Sequence, residues 1–504
     1  MLRRLPKGVV SAALAVAIFS SAAVCLAKSC GPPPRAKPQR RTGGESFPPL
    51  PLPATPLRRT EKKRPPAPPA LVGKVQYGKI VWTTDAQGRR TSYRDWTTDP
   101  NDINNLVNLT NRALGIRYRP VHTTFENFSY NPAEIPILYL TGHEAFSLSE
   151  EQRKTLYWFV NDGGYLLGDA CCGSDEFSES FIAEMRLTFE RQPLRLLPPD
   201  HPVFTAHYRI PEVEIVVEGK SLGKMPPSIY GLNVGCRTAV FLTTYDLSCG
   251  WDGHEHPTGK RVRIADARRL GVNLMAYCLS NYQLGRFLST QRIYHEENQD
   301  TRDEFVFAQV VHSGDWEPCP NGIMSLMRYV SANSTLPVQF KRVGVNLGSA
   351  DILRHPMLYM TGHEDFTLTD AEIAGLRNYL RNGGLLFANS CCGRQAFDAA
   401  FRREIVRVLP EGIELQPIPL DHPLYKIRTP IQAVHYTHML TEREPDLNAP
   451  ALEGVSIQGQ LAIVYSKYGL GTAWDGQERP YSLAYESDDA LRIGMNVLLY
   501  AMTH

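Results

Sequence analysis

The sequence predicts an α/β protein made of two tandem three-layer, doubly wound domains with mainly parallel sheets, a flavodoxin-like arrangement. Three observations carry this. One set of motifs occurs twice in the same order: Ile137–Phe146 reads ILYLTGHEAF and Met357–Phe366 reads MLYMTGHEDF. Each is followed by Gly-Gly, by Cys-Cys-Gly (Cys171–Gly173, Cys391–Gly393), by Asp-His-Pro (Asp200–Pro202, Asp421–Pro423) and by Trp-Asp-Gly (Trp251–Gly253, Trp474–Gly476). ILYL and MLYM are uninterrupted apolar runs of strand length, as expected for strands buried on both faces. Strand-like and helix-like segments then alternate, the pattern of right-handed parallel crossover units.

The chain opens with Arg3, Arg4 and Lys7 before an uncharged, mostly apolar run from Gly8 to Ala27. Residues 1–30 therefore read as a signal peptide or a retained membrane anchor, with membrane association through residues 8–27. The implied location is exported: periplasmic, cell-envelope or inner-membrane anchored. Basic residues follow the run, so a cytoplasm-facing anchor stays open. Residues 31–70 hold 13 of the 38 prolines and read as a basic, disordered, polyproline-rich linker. Residues 1–70 carry 13 Lys/Arg against 2 Asp/Glu, which leaves 41 basic and 50 acidic residues, a net of −9, for the remainder. A mildly acidic folded part argues against nucleic acid as its partner.

Copy one is expected over 71–280, a polar connector over 281–301 and copy two over 302–504. Each begins with a strand candidate (Gly78–Thr83, Phe305–Val311), then an Asp-Trp pair, then a helix (Ile103–Leu114, Ile323–Val330). After the Thr-Gly-His-Glu strand ends, Ser149 with Gln152 and Thr369 with Glu372 predict capping boxes. Leu156, Phe159 and Val160 form one helical stripe; Leu376, Tyr379 and Leu380 match it. Gly163-Gly164 and Gly383-Gly384 end these helices. Buried strands follow at Tyr165–Leu167 and Leu385–Phe387, further strands at Ala239–Thr243 and Leu461–Tyr465, and closing helices at Arg268–Cys278 and Leu491–Met502.

This ordered set (TGHE, a capped helix ending in Gly-Gly, an apolar strand, DHP and a late Trp-Asp segment) resembles the bacterial family called domain of unknown function 4159. The resemblance spans roughly residues 72–280 and 303–504. It implies a class I glutamine amidotransferase-like fold and no established activity. Copy one has Asp246-Leu247 before its tryptophan and copy two has Gly469-Leu470, so that aspartate has no role common to both.

In amidotransferase-like enzymes the strand-to-helix turn carries a nucleophilic cysteine whose thiol is acidified by the helix N-terminus. Here the turn reads D-A-C-C-G (Asp169–Gly173) or N-S-C-C-G (Asn389–Gly393). Asp169 and Asn389 stand where the first glycine would be, and both types tolerate a left-handed backbone. Cys171 and Cys391 are the nucleophile candidates, His143 and His363 the bases, and Glu144 and Glu364 the groups that would orient them. Buried inert thiols, or a strained ring disulfide between vicinal cysteines, are the competing readings. His201, Trp251 and Asp252, with His422, Trp474 and Asp475, are binding candidates; the tryptophans could stack on a sugar or aromatic ligand. Cys236, Cys249, Cys278 and Cys319 face Gln460, Thr472, Ala501 and Asp99 in the other copy and read as replaceable. No metal and no cofactor is expected: the His, Asp and Glu residues lack local metal spacing, and no phosphate-binding glycine motif occurs. The function expected is a non-catalytic binding or structural module for an unknown ligand or envelope protein, with the two copies able to pair within the chain. The alternative is a cysteine-dependent hydrolase or amidotransferase-like enzyme.

Overall fold

The computed structural model describes residues 70–84, 87–127, 131–288, 305–476 and 479–504. The N-terminal segment expected at 1–30, nearly all of the Pro-rich arm and most of the connector lie outside the described residues. Each copy builds a seven-stranded sheet of the same topology. In copy one the strands lie in the order Tyr118–Thr123, Ala70–Val75, Ile137–Gly142, Tyr165–Ala170, Arg237–Thr243, Ile229–Val234, Arg195–Leu196. In copy two the order is Val338–Val345, Phe305–Val310, Met357–Gly362, Leu385–Ser390, Gln460–Ser466, Leu452–Ile457, Gln416–Pro417. Five neighbouring strands are parallel, and the sixth is antiparallel to both its neighbours.

The central strands Ile137–Gly142 and Tyr165–Ala170 are buried at every position. Alternate residues feed opposite cores. Ile137, Tyr139 and Leu167 pack with Ile103, Leu106 and Leu270 from one helical layer. Leu138, Leu140 and Leu166 pack with Leu156, Phe159, Phe177 and Phe181 from the other. Each such buried side chain contributes on the order of 1.5–3 kcal/mol. Both capping boxes form, Ser149 with Gln152 and Thr369 with Glu372. Among the described residues, no helix is long and apolar enough to cross a membrane.

Copy one departs from expectation at its start. Its first sheet strand is Ala70–Val75, whereas Ile80–Thr84 pairs with Arg90–Arg94 as a separate hairpin. Ile80–Thr84 only alternates between exposed and half-buried positions. Ala70–Val75 was hidden by Gly73 and Lys74. Gly73 lets Leu138 and Ile135 approach to 3.1 Å of where a Cβ would stand. Lys74 is buried because Asp102 takes its ammonium at 2.7 Å. The closing helix of copy one, Ile264–Leu288, runs past the expected boundary at 280. Copy one also adds a small sheet of Val213–Val217, Lys220–Met225 and Lys260–Val262.

The two copies touch through unlike surfaces. The turn between Ile229–Val234 and Arg237–Thr243 of copy one sits on the strand-end rim of copy two, with Cys236 Sγ 3.3 Å from the Pro318 carbonyl. Arg195 pairs with Glu364 at 2.6 Å, Asn233 donates to the same carboxylate at 3.1 Å, and Tyr277 stacks on Tyr481.

Candidate functional site

Each Cys-Cys-Gly forms a single turn between a central strand and the next helix. The left-handed residue in it is Cys172 (φ 54°, ψ 14°) or Cys392 (φ 55°, ψ 16°), followed by a left-handed glycine. Asp169 and Asn389 are not left-handed: they still belong to the strands, which run on to Ala170 and Ser390. The elbow therefore presents the second cysteine of each pair rather than Cys171 or Cys391. A non-glycine residue there costs about 1–2 kcal/mol, and both copies carry it. Gly173 and Gly393 are required by close packing, since a Cβ would fall 2.6 Å from Lys260 or 2.7 Å from Leu483.

In copy one Cys171 is fully buried, with Sγ 3.2 Å from Asp99 Oδ2 and 3.8 Å from Cys249 Sγ. Cys172 is half-buried. Its thiol meets His143, the imidazole at the end of the neighbouring strand. Asp95, not Glu144, holds that imidazole: it accepts the His143 N–H at 2.9 Å, and its Oδ1 lies 3.6 Å from Nδ1. Glu144 is exposed, and its own N–H also donates to Asp95. Burial alone would lower the His143 pKa, but Asp95 and Cys172 outweigh it and carry it up to about 10. His254 stands between Asp252 (3.0 Å) and Asp99 (3.1 Å), which also raise it to about 10. Burial pushes Asp99 up, yet hydrogen bonds from His254, Ser248 and Cys171 leave it below its ordinary value. Ligand atoms of Cys171, Cys172, Asp246 and Cys249 lie within 4.8 Å of one another, as do those of Cys249, His254 and His256.

Asp169 explains how Cys249 reaches this cluster. Its carboxylate accepts the N–H groups of Leu247 and Ser248, each at 3.0 Å, and the Thr243 hydroxyl. It thereby anchors the short helix Ser248–Asp252. Asp169→Ala leaves these buried donors unpaired and is expected to cost about 2–3 kcal/mol, read as a lowered denaturant midpoint with unchanged m-value.

Copy two gathers a denser set. Cys391 Sγ lies 3.5 Å from Cys236 Sγ of copy one, 3.5 Å from Cys319 Sγ and 3.9 Å from Cys392 Sγ. His363 Nδ1 is held at 2.6 Å by Asp315 Oδ2. Its Nε2 is buried, has no hydrogen-bond partner, and lies with Cys236, Cys391 and Cys392 in a group whose ligand atoms are all within 4.8 Å. Burial opposes charge on His363, but Asp315 and the thiols raise it well above its ordinary value. Burial likewise opposes the Cys319 thiolate, yet hydrogen bonds from Cys236 and Cys391 bring it down to about 5. Arg479 supplies positive potential to Cys236, Cys319 and Cys392. Glu364 does not orient His363; it bridges the copies through Arg195 and Asn233. A cavity of about 200 Å³ between the copies, lined among others by Arg195, His201, Asn233, Arg394 and Glu364, reaches Cys236 and His363.

The remaining candidates are structural in their contacts. His201 and His422 accept the N–H of Val203 and Leu424, capping the turn after each Asp-His-Pro. Trp251 and Trp474 are each 1 % exposed and donate to Ala267 and Ala490. Asp252 accepts from Asn101 and meets His254; Asp475 lies 3.5 Å from Arg479.

Sequence reasoning treated Cys236, Cys249 and Cys319 as replaceable because none recurs. Each converges on a paired-cysteine turn. The available signal was that Cys319-Pro320-Asn321 of copy two replaces Asp99-Pro100-Asn101 of copy one, while Thr472 replaces Cys249. Each copy thus brings one further thiol to its turn from a different position.

The fold and site together define a tandem α/β protein with thiols and imidazoles converging at the strand ends of both sheets. The family described as Domain of unknown function (DUF4159) matches residues 74–279 and 306–502, and the chain belongs to this family as a tandem repeat. No curated protein matches the chain.

Proposed function

We propose that the chain is a non-catalytic binding module whose first copy holds a soft divalent metal ion of the zinc class. The observation that carries this is the 3.8 Å separation of Cys171 and Cys249 Sγ, in a group with Cys172 and the Asp246 carboxylate whose ligand atoms all lie within 4.8 Å of one another. Zn–S bonds of about 2.3 Å at a tetrahedral ion place sulfurs roughly 3.8 Å apart. Thiols around a 4Fe–4S cluster each bind a different iron and would stand farther apart. Cys172 is partly exposed, so an ion held there is reachable from solvent. The reading departs from the sequence expectation because its ligands come from separate strand ends rather than one local motif. We also propose that the basic-then-apolar start exports or anchors the chain, where a bound ion would shield the thiols from oxidation, and that the sheet is amidotransferase-like.

A second reading is favoured by the strained elbow: Cys172 as a hydrolase nucleophile, with His143 as base and Asp95 orienting it. Cobalt(II) titration separates the two. The metal-module reading expects intense thiolate-to-cobalt charge-transfer bands, protection of Cys172 from iodoacetamide, and loss of most copy-one binding in Cys249→Ser. A nucleophile site would give no cobalt bands that Cys249→Ser diminishes and rapid alkylation of Cys172 with or without a chelator, an outcome that overturns the metal reading.

A further inference from the structure

We infer that copy two contains a second metal site, completed across the domain boundary by Cys236 of copy one, so that one zinc-class ion staples the two copies together. The inference rests on the reading of the paired-cysteine turns as metal ligands, and it adds a separate site with a different role. Its ligands are Cys236, Cys391, Cys392 and His363 Nε2.

Four observations support it. The sulfur separations from Cys391 are 3.5 and 3.9 Å, close to the edge of a tetrahedral thiolate site and too long for a disulfide. His363 Nε2 is a buried nitrogen without a hydrogen-bond partner, aimed at those thiols. Its other nitrogen is held by Asp315 at 2.6 Å, the carboxylate–histidine arrangement that fixes a metal-binding tautomer. The site is also closed: Cys391 is fully buried, and Cys392, Cys236 and His363 are 4 %, 7 % and 7 % exposed. Closed four-ligand sites are the structural kind. An ion replacing the three thiol protons would leave one net negative charge, and Arg479 is placed to offset it. Cys319 Sγ lies 3.5 Å from Cys391 Sγ, beside the ligand set.

The hairpin turns give an internal contrast. In copy one the two-residue turn is Gly235-Cys236, pressed against Pro318 of copy two. The same turn in copy two is Gln458-Gly459 and carries no thiol. Cysteine is thus placed on the turn that reaches a thiol site in the other copy. Because the contact joins unlike surfaces, it orders copy two against copy one without making a symmetric pair.

The test is zinc stoichiometry and affinity of the full chain, measured by elemental mass spectrometry and by competition with a chromophoric chelator. The full chain is expected to hold two zinc ions. Cys236→Ser is expected to keep the copy-one ion and to weaken the second by more than about 100-fold, beyond the 10–100-fold typical of an outer partner. Cys236→His, which restores a ligand, should recover the second ion and shift its cobalt spectrum. The retained copy-one ion serves as the internal control for folding. Two tightly held ions in Cys236→Ser would overturn the inference, as would a single ion in the full chain that is lost in Cys249→Ser and indifferent to Cys236→Ser. No bound zinc at all would instead overturn the proposed function on which it rests.

Discussion

Lys74→Gln is expected to destabilise copy one by about 3–5 kcal/mol, because it strands a buried carboxylate. The Lys74 ammonium lies 2.8 and 2.7 Å from the two oxygens of Asp102 and 2.9 Å from the Asp99 carbonyl. Both side chains are essentially without solvent contact. Burial pushes Asp102 up to about 6 even beside this cation. Without the ammonium, the carboxyl would keep only the Tyr139 hydroxyl and its local N–H contact. Copy two has dispensed with both charges: Gln309 stands in place of Lys74 and Gly322 in place of Asp102. The double variant Lys74→Gln/Asp102→Asn should therefore recover most of the loss. Thermal unfolding of the single and double variants checks this. Equal destabilisation in both would mean that the pair is not what holds the strand Ala70–Val75 to the following helix.

Trp251→Ala is expected to cost about 3–5 kcal/mol, the range for deleting a large buried aromatic side chain. The ring packs against Tyr139 with centroids 5.7 Å apart, and Nε1 donates to Ala267 at 2.8 Å. The closing helix comes this near because residue 271 is glycine; a Cβ there would stand 2.6 Å from Nε1. Trp474 repeats the arrangement with Ala490 and Gly494. These rings pin the last helix of each copy to the sheet, and at 1 % exposure they offer no face for a ligand to stack on. Since Trp251 shares a short helix with Cys249, the substitution should also loosen the copy-one thiol cluster. Urea denaturation of Trp251→Ala and Trp251→Phe provides the check, with the phenylalanine variant losing less.

The fold was legible where one physical signal dominated. ILYL and MLYM have the length and unbroken apolar character of strands covered on both faces, and the capping boxes marked the following helices to the residue. The strand Ala70–Val75 was not legible, because a buried lysine breaks the apolar pattern and its justification, Asp102, lies in the next helix. The site was half legible. His143, His363 and the paired cysteines could be named and placed at the strand ends. The orienting carboxylates could not, because Asp95 and Asp315 lie far upstream and the adjacent glutamates looked the better partners. The thiols Cys236, Cys249 and Cys319 were missed for a related reason: each meets its cluster only through the fold, and Cys236 does so from the other copy.

Zinc-edge X-ray absorption on the full chain loaded with zinc reads out whether the paired-cysteine turns are metal ligands. A dominant sulfur shell at about 2.3 Å with a minor nitrogen shell at about 2.0–2.1 Å is expected. A shell of light atoms alone, with no sulfur at bonding distance, would contradict it.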